Sequence, residues 1–549
     1  MRWLKILAAI FVLVALAAWA AWRMIPVQIL VMANRLTHPV AANRPVHWAE
    51  GPSAPPAGER PPNIVLIIAD DLGINDITAE GDGTGVAGGL VPTPNIDAIA
   101  HRGADFTVAY TGNATCSPSR AALLTGRYPQ RFGFEYTAVP GQLAKYVPRY
   151  SDQNRPFRTI YHAELQNQVP PMADMGVPGS EVTIAEVLRA RGYHTIHLGK
   201  WHLGEAQGMR PENQGFDESL GFMAGASKYE PDGSGPDAKI PGDPLDRLLW
   251  MGLSDAVQFN GSKPFHAGKY MTDYLSEQAV AAIEANRNRP FFIYLAYNAP
   301  HTPFQATQAD YDALSAIKDH RTRVYGAMVR ALDRGVGEVT AALKVQGVDD
   351  NTIVIFASDN GGAWYAGLPD INKPYRGWKG TFFEGGIRTP FFICWPGRIA
   401  PGQRPAVPVH LIDVFPTLAA AAGAGLPKDR TIDGIDLTTV AAGQGKPVGR
   451  SLFWRSGGYE AVRDGNWKLQ VSQNPKRIWL FDLASDPTER KNLSTARPDV
   501  VRTLRARLAA HDSEMVKPLW PALLEEPIRI DVPAEAPWKP GQEFVYWPN

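Results

Sequence analysis

The sequence predicts an α/β protein. A large mixed, mostly parallel sheet is sandwiched by helices, and a smaller C-terminal α+β domain containing an antiparallel sheet follows. Three observations predict this. From Asn63 to about Gly425, strand-like apolar runs alternate with helical patterns, the signature of a parallel sheet covered on both faces. After Asp433 the runs become short and closely spaced. At 549 residues the chain is too long for one minimal core, at about 150 residues per domain.

The elements divide the chain as follows. In segment 1–23, Arg2 and Lys5 precede seventeen uncharged residues from Ile6 to Trp22, and Arg23 closes the run. Ala18-Trp19-Ala20 resembles a small-x-small cleavage site, so the segment is either a cleaved signal peptide or an uncleaved membrane anchor. Both alternatives export the remainder, to a periplasmic, extracellular or membrane-anchored position outside the cytoplasm. Residues 24–61 are a linker whose second half is Pro-rich (Pro45, Pro52, Pro55, Pro56, Pro61), expected as an extended spacer. Residues 62–428 are expected to form the large domain, which carries the alternating strand and helix pattern. Residues 429–515 form the smaller domain, with strand-like runs at Ser451–Trp454, Glu460–Val462, Trp467–Val471 and Ile478–Leu483 and an amphipathic helix over Pro498–His511. Residues 516–549 carry seven prolines and read as a tail wrapped over the surface.

Composition narrows the function. Lys+Arg and Asp+Glu both total 55, so no basic surplus exists for nucleic acid. The two cysteines, Cys116 and Cys394, exclude a disulfide-stapled fold and a cysteine-rich metal site.

The chemistry gathers where the predicted strands end, the side of an open α/β sheet on which ligands bind. The run Ile64–Ala69 ends in Asp70 and Asp71, and Tyr193–Leu198 in Gly199-Lys200-Trp201-His202. Phe291–Tyr297 is followed by Asn298 and His301, and Thr352–Ala357 by Asp359 and Asn360. Taken singly, each is an ordinary capping or turn residue; together they form a constellation. Asp70, Asp71, Asp359 and Asn360 offer only hard oxygens, which favours Ca²⁺, or alternatively Mg²⁺, over zinc. Lys200, Lys379 and Arg120 would make such a site net positive, suited to an anionic substrate group. Cys116 stands just before Pro118 at the start of a predicted helix, an electropositive place for a cysteine. On these grounds alone it is either a thiol nucleophile or a buried inert cysteine.

Cys116-Ser-Pro118-Ser-Arg120 followed by Ala-Ala-Leu-Leu-Thr-Gly126 resembles the signature of the type I sulfatases. The resemblance runs nearly the whole globular chain. It takes in Asp70-Asp71-Leu-Gly, Thr93-Pro-Asn-Ile-Asp-Ala, Gly199-Lys200-Trp201-His202-Leu-Gly, Ala299-Pro-His301-Thr-Pro-Phe and Ser358-Asp-Asn-Gly-Gly. It continues through Gly377-Trp-Lys379-Gly-Thr-Phe-Phe-Glu-Gly-Gly and Asp486-Pro-Thr-Glu489. It implies an alkaline phosphatase-like fold and hydrolysis of sulfate monoesters. It implies that Cys116 becomes formylglycine, which makes a formylglycine-generating enzyme a partner. Asp70, Asp71, Asp359, Asn360 and the modified residue 116 would hold Ca²⁺, and Arg120 would hold residue 116. Lys200, His202, His301 and Lys379 would line the sulfate pocket, and Ser227 is the best match to one further serine contact. The hydrated aldehyde would attack sulfur with help from Asp359, His301 or Lys379 would protonate the departing oxygen, and His202 would release the sulfate.

Phosphodiester and phosphonate monoester hydrolases on the same scaffold are the nearest rival. A glycan-binding protein that has lost catalysis is the other, and no motif residue is missing to support it. Residues 127–180 and 222–262 read as insertions. Their aromatics (Tyr128, Phe132, Phe134, Tyr136, Tyr146, Tyr150, Tyr229, Trp250, Phe259) either read the alcohol side of the ester or pack as ordinary loops.

Overall fold

The computed structural model describes residues 39–549 except 56, 57, 59, 80–90, 149–155, 241–243 and 446–448, with isolated positions before residue 39. The apolar run of segment 1–23 therefore lies largely outside the described residues. Among those described, no helix is long and apolar enough to cross a membrane.

The main sheet has nine strands: β1 (Asn63–Ala69), β2 (Ala104–Asp105), β3 (His194–Lys200), β4 (Glu218–Phe222), β5 (Ala256–Phe259), β6 (Phe265–His266), β7 (Phe291–Ala296), β8 (Thr352–Ser358) and β9 (Phe391–Cys394). Their order is β2-β9-β8-β1-β7-β3-β4-β5-β6. The central five, β8-β1-β7-β3-β4, are mutually parallel. The added edge strands are antiparallel. The expected mixed, mostly parallel sheet is therefore present, and the strands ending in site motifs are its centre.

Continuous apolar runs in these strands follow from burial on both faces. Val65, Ile67 and Ala69 of β1 join one core with residues of α1 (Pro94–Arg102), α4 (Met271–Asn286) and α5 (His320–Val345). Ile64, Leu66 and Ile68 join the opposite core with α2 (Cys116–Thr125), α3 (Ile184–Ala190) and α6 (Val414–Ala421).

The C-terminal sheet is a meander of β10 (Ser451–Ser456), β11 (Tyr459–Asp464), β12 (Trp467–Gln473) and β13 (Lys476–Asp482). Alternation along its strands gives it two faces. Val462, Leu469 and Leu480 pack on Leu504 and Leu508 of α7 (Pro498–Asp512). Trp454, Tyr459, Ala461, Trp479 and Phe481 point the other way and join the main core. Leu437, Val440 and Ala441 pack in the core of the large domain, and the small sheet begins at Ser451, the first of its expected runs.

Two expectations are corrected. The last thirty residues do not merely wrap the surface. They form a hairpin of β14 (Leu524–Arg529) and β15 (Phe544–Pro548), with Ile528, Val545 and Trp547 in the main core. Pro527 sits beyond the two residues that β14 pairs with the short strand Ile160–Tyr161, at a free edge where a missing N–H costs no ladder bond. The Pro-rich stretch before residue 62 is not a free spacer either. Trp48 is buried and meets Phe259 edge-on, and Ala41 bridges Phe265 at the sheet edge.

Candidate active site

The C-terminal ends of β1, β3, β7 and β8 meet at one buried point. The turns after them are tied to one another through the backbone. Asp70 N–H donates to the Ala299 carbonyl at 3.1 Å, and Asp359 N–H donates to the Ala69 carbonyl at 3.2 Å. Asp71 and His202 both have positive φ, 62° and 58°, in the left-handed region that non-glycine residues rarely adopt. Strain of this kind persists where surroundings over-determine it, often at functional sites.

Three carboxylates face three cations, each with a partner. Lys200 Nζ lies 2.7 Å from Asp70 Oδ2, and Arg120 Nε 2.8 Å from Asp359 Oδ2; all four side chains are fully buried. Lys379 Nζ lies 2.7 Å from Asp71 Oδ1. Arg120 also reaches Asp70 at 3.8 Å and donates to the Lys200 carbonyl and the Tyr294 hydroxyl at 3.4 Å each. Burial alone would raise the Asp70 carboxyl; the cations Lys200, Arg120 and Lys379 outweigh it and hold the group below the ordinary carboxylate range. For Asp359 burial prevails over Arg120 and pushes the carboxyl up to about 6.

Cys116 is the first residue of α2, with Thr115 in extended conformation before it. Its Sγ lies 3.4 Å from Asp70 Oδ1 and 3.8 Å from Asp71 Oδ1. Burial pushes the thiol pKa up despite Lys200 and Lys379, so an unmodified Cys116 stays protonated. This direction is opposite to the one that an activated thiolate nucleophile needs.

The histidines are held neutral. His301 Nδ1–H donates to the Thr302 carbonyl at 2.6 Å, leaving Nε2 facing Lys379 Nζ at 3.3 Å. Burial lowers its pKa more than Asp71 and Asp70 raise it. His202 is lowered well below the usual range by burial, then by Lys200 and Arg120. Its Nδ1 has no partner among the described residues.

The donor set fits a divalent cation. Ligand atoms of Asp70, Asp71, Cys116 and His301 lie within 4.8 Å of one another. Asn360 donates through Nδ2 to Asp71 Oδ1 at 2.7 Å, while its buried Oδ1 has no partner among the described residues. An orphaned buried carbonyl oxygen beside carboxylates is what an oxygen-preferring cation would satisfy.

Of the expected residues, the structure brings Asp70, Asp71, Cys116, Arg120, Lys200, His301, Asp359, Asn360 and Lys379 together in this network, with His202 next to it. Ser227 is buried, but its hydroxyl donates to the Lys228 and Ser254 carbonyls at 3.0 Å each. Tyr365 was not anticipated: its hydroxyl donates to Asp71 Oδ2 at 3.0 Å and accepts from Lys379 at 3.1 Å. It arrives on a short 3₁₀ turn, Trp364–Ala366, after the Asp359-Asn360 motif, where no spacing rule marks it. Most insertion aromatics, including Tyr128, Phe132, Phe134, Tyr136, Tyr229 and Trp250, are buried packing groups; Tyr150 lies outside the described residues.

The sulfatase family profile matches residues 62–424, and the N-sulphoglucosamine sulphohydrolase C-terminal profile matches 377–514. Human arylsulfatase A is 33% identical over 496 residues, covering 81% of this chain and 87% of that protein. Mouse N-acetylgalactosamine-6-sulfatase is 33% identical, covering 75% and 72%. Among solved structures, Ps i-CgsB in complex with k-i-k-neocarrahexaose superposes with a TM-score of 0.70 at 32% identity, covering 84% of this chain and 95% of that one. With its alkaline phosphatase-like sheet and this match over most of its length, the chain belongs to the sulfatase family of sulfuric ester hydrolases.

Proposed function

We propose that this enzyme hydrolyses sulfate monoesters with residue 116 carried as formylglycine and Ca²⁺ bound beside it, after export from the cytoplasm. The observation that carries the reading is the position of Cys116. It stands at the start of α2 with Sγ 3.4 Å from Asp70, in a buried cluster of paired charges beside an orphaned Asn360 oxygen. A formylglycine-generating enzyme is the implied partner, and segment 1–23 the export element, as signal or anchor.

Asp70, Asp71, Asp359 and Asn360 would hold the cation. The hydrated aldehyde supplies a nucleophilic hydroxyl and a second hydroxyl for release of sulfate, and the cation offsets charge on the ester oxygens. The rest falls to this chain's own side chains. Arg120 keeps Asp359 and Asp70 oriented from beneath the site. Lys200 and Lys379 add fixed positive charge where a sulfate group would sit, which preorganises the pocket before substrate enters. Burial alone would lower the Lys379 pKa; Asp71 outweighs it, so the ammonium keeps its proton. With neutral His301 at its side, it forms the pair from which a departing alkoxide oxygen takes its proton. His202, neutral and with Nδ1 free of partners among the described residues, is suited to accept a proton during sulfate release.

Turnover of an aryl sulfate against an aryl phosphodiester, with bound metal measured on the same sample, tests this. Preferred sulfate hydrolysis with stoichiometric calcium is expected. Phosphodiester preference, or zinc in place of calcium, would overturn it.

A further inference from the structure

The Asp486-Pro-Thr-Glu489 motif lies far along the chain from the reacting groups, yet it reaches them through one loop. Lys379 stands in the segment from Arg376 to Glu384, and this segment is gripped by C-terminal residues at both ends. At its start, the Glu489 carbonyl accepts from Arg376 Nη1 at 3.2 Å, and Asp531 pairs with Arg376 Nε and Nη2 at 2.7 Å each. At its end, Glu489 Oε2 accepts the Glu384 N–H at 2.6 Å. The middle is held as well. The Tyr459 hydroxyl accepts the Phe382 N–H at 3.0 Å. Gly380 is packed so closely on Ile528 and Trp547 that a β-carbon would come within 2.4 Å of Ile528. The segment then closes on itself, with Gly385 N–H donating to the Arg376 carbonyl at 2.7 Å.

Glu489 is set up for this double grip. Its φ of 58° is unusual for a glutamate and turns the carbonyl to one end of the loop and the carboxylate to the other. Its other oxygen is anchored by Lys468 Nζ at 3.0 Å and Gln470 Nε2 at 3.1 Å, both from β12. Lys468 also pairs with Glu384 at 2.7 Å, and Lys468, Glu384 and Glu489 are all fully buried. A rigid scaffold that fixes a loop by hydrogen bonds at both ends supports a reacting group well, since misplacement by about 1 Å can cost about a hundredfold in rate.

We propose that Glu489 is a positioning residue for Lys379, and that the C-terminal sheet takes part in catalysis by fixing the Lys379 ammonium against the departing oxygen. This rests on the reading of Lys379 given above. Its consequence is selective. Loss of the grip matters most for esters whose alcohol leaves poorly, because these depend on protonation of the leaving oxygen.

The test compares kcat for 4-nitrophenyl sulfate, which leaves readily, with kcat for phenyl sulfate, which does not. The full-length enzyme is used at matched formylglycine and calcium content. Glu489→Ala is expected to lose about tenfold or more with phenyl sulfate, a fraction of the 10²–10⁴ typical of acid catalysis, and to change little with 4-nitrophenyl sulfate. Glu489→Gln keeps the size and one acceptor oxygen for the Glu384 N–H but turns its amide N–H groups toward Lys468 and Gln470, and is expected to recover only part of the loss. Tyr459→Phe, which deletes one hydroxyl, is expected to show the same selectivity more weakly and serves if Glu489→Ala does not fold. An equal loss on both esters, or no loss, would overturn the inference. Lys379→Ala is the control. If it shows the steep leaving-group dependence and the Glu489 and Tyr459 variants do not, only the positioning role fails. If Lys379→Ala itself shows none, the reading of Lys379 fails and this inference with it.

Discussion

Replacing Lys200 by methionine should expose the charge balance of the site most cleanly. The change keeps a long stem and removes one cation. In the wild type, Asp70, Asp71 and Asp359 are matched by Lys200, Lys379 and Arg120, so the ionised side chains sum to zero without metal. Without Lys200, the cation left within 4 Å of Asp70 among the described residues is Arg120 at 3.8 Å, in a place where both groups are fully buried. Breaking a buried pair by removing one partner costs about 3–5 kcal/mol. A divalent cation would supply the missing charge. At 4 Å and an effective dielectric of about 20, one unit charge pair is worth about 4 kcal/mol, comparable with the loss. The variant is therefore expected to be much less stable than the wild type in chelator and to recover most of the difference in saturating calcium. Calorimetric unfolding at pH 7.5 with chelator and with calcium measures this. Equal destabilisation under both conditions would refute the reasoning, since it would mean that the cation does not share Asp70 with Lys200.

Other consequences follow from single atoms. Asn360→Leu removes the orphaned Oδ1 and should weaken calcium binding by about tenfold or more, read by calorimetric titration; unchanged affinity would show that this oxygen is not a ligand. Asp76 is buried, accepts from Tyr325 at 2.6 Å and Gly73 N–H at 2.8 Å, and has its carboxyl pushed up by burial to about 8. A raised folded pKa means that its contribution is intact below pH 3.8 and lost as pH rises through about 8, by about 1.4 kcal/mol per unit. The stability of Asp76→Asn relative to wild type should therefore grow between about pH 5 and 8, and a pH-independent difference would contradict this. Cys116 and Cys394 are both free and buried in separate surroundings, so thermal stability should be indifferent to reductant; a reductant-sensitive transition would argue for a bridge.

The central sheet was legible because burial on both faces leaves uninterrupted apolar strands, and the site was legible because four of them end in chemistry-bearing residues. What could not be read depends on backbone paths between distant segments. Tyr365 reaches Asp71 from an irregular turn, and Glu489 reaches Lys379 only through the fold of a second sheet. The terminal hairpin was hidden by its prolines, which here stand at a free edge and at strand ends. The aromatics of the insertions read as rim or, for most of them, as ordinary loop packing, and burial bears out packing in most.

The measurement closest to the central claim is the mass of the peptide holding Cys116, taken from enzyme of known specific activity purified from its native host. Conversion of the thiol side chain to an aldehyde lowers that mass by about 18 Da. The account predicts that the converted fraction rises and falls with specific activity across preparations. Active enzyme carrying only the unmodified thiol would contradict it.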